Sequence, residues 1–261
     1  MLDNFKSIIR ADIEEFIATQ KMEKARELKR ATGHHFNHNE YPMYFTGKLD
    51  AELVLVHLNP KQQNNDAETY MGHLRWPTFE DYFSYHQYYG RHTYGPQTSR
   101  SWKSLFDQKQ IRFIRPFGVI DFVEERTRED RFTNLEKVID DKLQLELIPY
   151  GSDTFSTKGF TPEILQPHID RVLEVIGAYP RKYVLFCGRI FEKIFRQHIV
   201  DRYEVKLVKN DGTAMKNTAK FSNLRFDYRG QVIHAGLAYT FAMMGIPMSA
   251  YGRMCRERYR C

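Results

Sequence analysis

The sequence predicts an α/β protein, a three-layer α/β/α sandwich around a mainly parallel four-stranded sheet. Residues 53–58 (LVLVHL) and Tyr183–Cys187 (YVLFC) are short, almost continuously apolar runs, the pattern of strands buried on both faces of a parallel sheet. Segments with helical apolar spacing alternate with these runs along the chain, which supplies the two outer layers. With 42% hydrophobic and 28% charged residues, the 261-residue chain has a globular composition, which excludes a disordered or fibrous polymer.

The elements follow in order. Ile9, Ile13, Phe16 and Ile17 recur at helical spacing among charges, so residues 1–48 contribute N-terminal helices that lie on the body and cover the sheet. The first strand, 53–58, ends at Asn59-Pro60, because proline removes a ladder donor. Residues 62–101 form an aromatic-rich insertion. Residues 143–148 alternate apolar with polar and run into the turn residues of 149–152, the mark of a half-exposed strand near a sheet edge. Thr161 and Pro162 cap and open a helix whose stripe is Leu165, Ile169, Val172, Leu173 and Ile176, and Gly177 stops it. After Tyr183–Cys187, Gly188 ends the strand and Ile190, Ile194, Phe195 and Ile199 mark the next helix. Residues 203–208 and 224–228 read as short extra strands, 231–234 as the last strand, and Pro247 opens a basic helix reaching Arg260.

Two fully apolar strands and two more polar ones predict the order 2-1-3-4, reached by right-handed crossovers. The ligand crevice then lies beyond the carboxyl ends of the strands where the order reverses, between those ending at Leu58 and Cys187, and it holds His57, Asn59 and Pro60. Without a repeat or a long linker, residues 1–261 read as one domain.

No stretch approaches the roughly 20 apolar residues that cross a bilayer, and no signal peptide opens the chain, so a cytoplasmic protein is expected. Three scattered cysteines make neither a disulfide framework nor a thiolate metal site. The net charge of +6 is a mild bias toward polyanions. His34, His35, His38 and Glu40 form the one cluster with metal-ligand residue types, without a metalloprotease helix pattern, and phosphate-binding glycine loops are missing.

The run His57-Leu58-Asn59-Pro60-Lys61 at the end of the first strand, with His234-Ala235-Gly236 at the end of the last, resembles the two signature motifs of the uracil-DNA glycosylase superfamily. Asn-Pro and His match, whereas the flanking glycines and the Pro-Ser of the second motif do not. The resemblance implies a uracil-DNA glycosylase-like fold and hydrolysis of the N-glycosidic bond of a deaminated or damaged base in DNA, with neither metal nor cofactor. Such chemistry develops negative charge on the departing base, so placed donors and a held water are what help. It casts Asn59 and His234 as the catalytic pair. Asn59 would position the water, and its alternative is a turn residue bonding its own backbone. His234, a neutral imidazole at a strand mouth, would donate to the base carbonyl, and its alternative is a core histidine. His57, Pro60, Glu146 and Tyr150 would line the substrate, with Glu146 near the relatives' base-reading asparagine and accepting from an amino group instead. Tyr70, Trp76, Phe79, Tyr82 and Phe83 are candidates to stack on a flipped base, against a packed insertion. Leu237 would wedge into DNA, against burial in an ordinary apolar run. Arg253 and Arg256, with Arg258 and Arg260, would meet phosphates, against a solvated face. Two further readings remain: a non-catalytic nucleic-acid or nucleotide binder of the same fold, and a metal-dependent phosphoesterase built on the histidine cluster.

Overall fold

The computed structural model describes residues 2–61, 76–101, 103–209, 211–239, 241 and 247–260. Seven strands among them form one mixed sheet: β1 (Phe45–Gly47), β2 (Leu53–His57), β3 (Leu143–Glu146), β4 (Tyr183–Cys187), β5 (Ile199–Val208), β6 (Ala214–Tyr228) and β7 (Gln231–Ala238), in the order β1-β3-β2-β4-β7-β6-β5. β3, β2, β4 and β7 run parallel, while β1, β6 and β5 join antiparallel. The sheet is therefore wider than the four strands expected.

Two extensions account for the difference. At one side β1 pairs with β3, where Gly47 has φ +88° and any Cβ would sit 1.9 Å from the Lys142 carbonyl oxygen, so only glycine permits that approach. β3 is consequently one strand in from the edge, near it as expected, but mostly buried rather than half exposed. At the other side β5 and β6 form a long hairpin whose distal part, from Val208↔Ala214 to Val205↔Ala219, lies beyond the β6–β7 pairing. That stretch of β6 is polar and lacks an apolar stripe, so only its last residues, 224–228, stood out in the sequence.

Helices cover both faces. α1 (Asp3–Thr19), α2 (Glu23–Thr32), α3 (Phe79–Gln87) and α7 (Pro162–Gly177) pack on the face carrying Val54, Val56, Leu143, Leu145, Val184 and Phe186. α4 (Tyr89–Tyr94), α5 (Leu105–Ile114), α6 (Arg128–Asp140) and α9 (Met248–Arg258) pack on the face carrying Leu53, Leu55, Leu185 and Cys187. α8 (Ile190–Ile194) follows β4. Local chemistry sets the helix starts. Thr161 accepts from the Ile164 amide with Pro162 in the first turn of α7, Thr127 and Asp130 make a reciprocal capping box on α6, and Ser104 caps α5. Among the described residues no helix is long and apolar enough to cross a membrane.

Candidate functional site

The parallel strands end on a common level. His57 stands opposite Glu146, and Cys187 opposite Ala238, with Asn59 and Pro60 just beyond β2. This is the end where a doubly wound sheet presents its ligand crevice.

His234 is elsewhere. β7 continues to Ala238, so His234 is its fourth residue rather than its last. The register Leu185↔Gly236 sets His234 level with Tyr183, the first residue of β4, about four residues or roughly 13 Å below the crevice at 3.3 Å per residue. There it faces Arg225 across the antiparallel pair, and its carbonyl accepts from the Tyr259 hydroxyl at 3.0 Å. The structure does not bring Asn59 and His234 together. The apolar run after His234 extends the strand, which explains why the sequence boundary falls short.

A different set of polar groups converges on the crevice. Lys142, Gln144 and Glu146 share one face of β3, opposite Leu143, Leu145 and Leu147, and both outer members are buried. Lys142 Nζ donates to Gln144 Oε1 at 3.2 Å, and Gln144 Nε2 donates to Glu146 Oε1 at 2.8 Å. The ladder ends in a pair of orphans: Glu146 Oε2 and, on the neighbouring strand, His57 Nε2 have no hydrogen-bond partner among the described residues. Burial pushes the Glu146 carboxyl up to about 8, holds the His57 imidazole down to about 3, and lowers Lys142 to about 8. At neutral pH Glu146 is therefore mainly the protonated acid. With Oε1 accepting from Gln144, its Oε2 hydroxyl is a donor.

Beside the ladder lies a cavity of about 320 Å³ whose wall includes Gln144, Pro60, Tyr89, Tyr94, Phe106 and Asp107. Phe106 also lies 5.5 Å from the His57 ring, with Phe241 5.8 Å from it on another side. Tyr94 donates to Asp107 Oδ2 at 2.7 Å and accepts from the Ser104 amide at 3.2 Å, which ties α4 to the start of α5. Burial raises the Asp107 carboxyl. An apolar wall with a few fixed polar groups is what a flat, polar-edged ring requires, and the volume sits at the low end of small-molecule pockets.

The other expected site residues have varied fates. Pro60 lines the cavity. Asn59 is held by its Nδ2, which donates to Ser152 Oγ at 2.7 Å and to the carbonyls of Pro60 and Tyr150 at 3.1 and 3.3 Å, so it fastens the β2 end to the loop after β3. Tyr150 turns to the opposite face of the sheet and donates to Asp12 at 3.3 Å. Leu237 is a core residue of β7, 6% exposed, and cannot wedge into DNA. The exposed apolar side chain beside the cavity is Leu105, between the lining residues Ser104 and Phe106 and 72% exposed. Of the stacking candidates, Tyr70 falls outside the described residues, whereas Trp76, Phe79 and Tyr82 are buried and Phe83 packs against the same core. Arg253 and Arg256 lie on the outer side of α9, away from the crevice. His34 packs among Phe36, Phe155 and Phe160 while Glu40 lines the cavity, and no group of three His, Cys, Asp or Glu residues able to hold a metal occurs among the described residues.

Lys142, Gln144, Tyr94, Phe106 and Asp107 were not singled out by the sequence. The one available signal was the polar set at 142, 144 and 146 alternating with leucines, which reads as a solvated face until helices are seen to cover it. The chain matches no protein-family model and no curated protein sequence.

Proposed function

We propose that the chain binds a nucleobase, free or carried by a nucleotide or nucleic acid, at the carboxyl end of β2 and β3. The observation that carries this reading is a pair of buried atoms on register-neighbour residues, Glu146 Oε2 and His57 Nε2, both without a hydrogen-bond partner among the described residues, with Glu146 one hydrogen bond from the cavity-lining Gln144. A buried polar atom without a partner costs about 1–3 kcal/mol, a cost a complementary ligand removes. The protonated Glu146 donates to a carbonyl, and the neutral His57 imidazole accepts from a ring N–H in the tautomer that leaves Nε2 bare. That complement is a lactam edge, a C=O beside an N–H, as in uracil or hypoxanthine. Phe106 lines the cavity and lies 5.5 Å from the His57 ring. The arrangement accords with the resemblance to the uracil-DNA glycosylase superfamily in placing the base beyond β2, and departs from it in the reading residues.

Calorimetric titration with uracil, hypoxanthine and adenine tests this reading. Binding of the two lactam bases, weak or no binding of adenine, and loss of binding in Glu146→Ala are expected. Equal binding of all three bases, or none, overturns it.

A second reading, hydrolysis of an N-glycosidic bond, draws on one observation: the three Nδ2 bonds of Asn59 fix its amide, and no described residue donates to its Oδ1, the atom that would hold a water. Base excision from oligonucleotides carrying uracil or hypoxanthine, lost in Asn59→Ala, would establish turnover. Its absence leaves a binding protein.

A further inference from the structure

On the outer side of the α5–α9 layer, four guanidinium groups border one groove of about 410 Å³: Arg112 and Arg115 on one bank, Arg253 and Arg256 on the other, with Ser249, Pro116 and Glu257 completing it. The spacing builds it. Positions 249, 253 and 256 form an i, i+4, i+7 stripe on α9, and 112 and 115 form an i, i+3 pair running from α5 into the 3-10 turn Arg115–Phe117. The two helices can come this close because position 252 is glycine, where a Cβ would sit 2.1 Å from the Phe113 carbonyl oxygen. Arg112, Arg253 and Arg256 form no ion pair with any described residue, and Arg115 reaches Glu125 only at 3.6 Å. Glu257 is the single carboxylate on the groove wall, against four positive charges.

The groove is separate from the crevice. The start of α5 borders the cavity through Ser104 and Phe106, whereas its end and the last turn of α9 sit at the amino end of β4, where Phe117 and Tyr259 pack on Tyr183 at 4.8 and 5.1 Å. We propose that this groove holds the phosphodiester backbone of a nucleic-acid strand. Four like charges gathered on one groove, three of them without an ion pair to any described residue and Arg115 with only the 3.6 Å contact to Glu125, match a row of anions. The α9 stripe from Ser249 to Arg256, seven residues at 1.5 Å, is about 10 Å long and carries its two guanidinium groups in its last turn, facing Arg112 and Arg115 across the groove. A strand held there lies along α5, whose other end reaches the crevice. The assignment does not depend on what the crevice binds.

Fluorescence anisotropy of a labelled oligodeoxythymidine across a salt series tests it on the full chain. The comparison is between wild type, a triple Arg112→Gln/Arg253→Gln/Arg256→Gln variant, and a charge-matched Lys29→Gln/Arg30→Gln/Lys158→Gln variant altered on the opposite side of the sheet. Loss of three single-strand phosphate contacts lowers the slope of log K against log salt by about 2, with affinity falling at least about tenfold at low salt. The charge-matched variant keeps the wild-type slope. All substituted arginines are exposed, so the fold is retained, and circular dichroism confirms it. Three results overturn the proposal: an unchanged slope in the triple variant, an equal loss in the charge-matched variant, or competition by polyglutamate as effective as by unlabelled oligonucleotide.

Discussion

Two polar clusters are buried on opposite faces of the same region of sheet, and they differ in completeness. On the α1–α7 face, Asp12 accepts from Lys24 at 2.5 Å and from the hydroxyls of Tyr44 and Tyr150, while Arg171 donates to the carbonyls of Glu146 and Leu147 at 3.1 and 2.6 Å and lies over the Tyr44 ring. This cluster is closed, with its charges shared among partners on α1, α2, α7 and the end of β3. On the other face, Lys142, Gln144, Glu146 and His57 are as deeply placed, yet the ladder stops at two orphan atoms. Three more orphan atoms among the described residues lie on His34, His86 and Gln110. The adjacent pair at the crevice is what separates a binding edge from a stitch. A satisfied network specifies the fold, and an unsatisfied one at a strand end waits for a partner.

Breaking the closed cluster should have the largest effect. Asp12→Ala leaves the buried Arg171 short of its countercharge and Tyr44 short of an acceptor, and is expected to cost about 3–5 kcal/mol by urea denaturation. A loss under 1 kcal/mol would mean that the two clusters do not differ in role.

Titrating the open cluster is the sharper test. The folded-state pKa of Glu146 is raised from 4.5 to about 8, so its favourable contribution is fully present below about pH 4.5 and is lost as pH climbs toward 8. Glu146→Gln keeps the shape and removes that titration. The variant should match wild type near pH 5 and exceed it by a few kcal/mol near pH 8 in denaturation followed across pH. Parallel pH profiles would show that Glu146 is not held protonated. Because the wild-type hydroxyl is the proposed donor, lactam-base binding should weaken over the same rise in pH.

Smaller changes refine the edge of the open site. Tyr94→Phe deletes one bond to Asp107 and the acceptor of the Ser104 amide, for about 1 kcal/mol in stability and a severalfold weaker base affinity. His234→Gln, midway along β7 and four residues short of the crevice, should change stability by less than about 0.5 kcal/mol and leave base binding untouched. A tenfold effect on binding there would restore the role that the sequence motif suggested.

What could be read from residues alone divides along physical lines. The apolar runs at 53–58 and Tyr183–Cys187 can be buried in only one way, so β2 and β4 were legible, as was the capped start of α7, whereas the cavity is lined by Pro60 and Gln144 and by neither Asn59 nor a β4 residue. The end of β7 was not, because a strand and the apolar loop expected after His234 have the same local composition. Leu143, Leu145 and Leu147 announced a strand, but the burial of the residues between them depends on α4, α5 and α6 coming from distant sequence to cover that face.

The sequence by itself therefore determined the alternation of strands and helices, the position of the first strand end, and the basic stripe on the last helix, because each follows from periodicity and side-chain chemistry within a short window. Tertiary structure alone decided which polar residues are buried together. Protonation of Glu146, the silence of His57 as a base, and the meeting of Arg112 and Arg115 with Arg253 and Arg256 all arise from desolvation and proximity between segments far apart in the chain, and no local pattern encodes either.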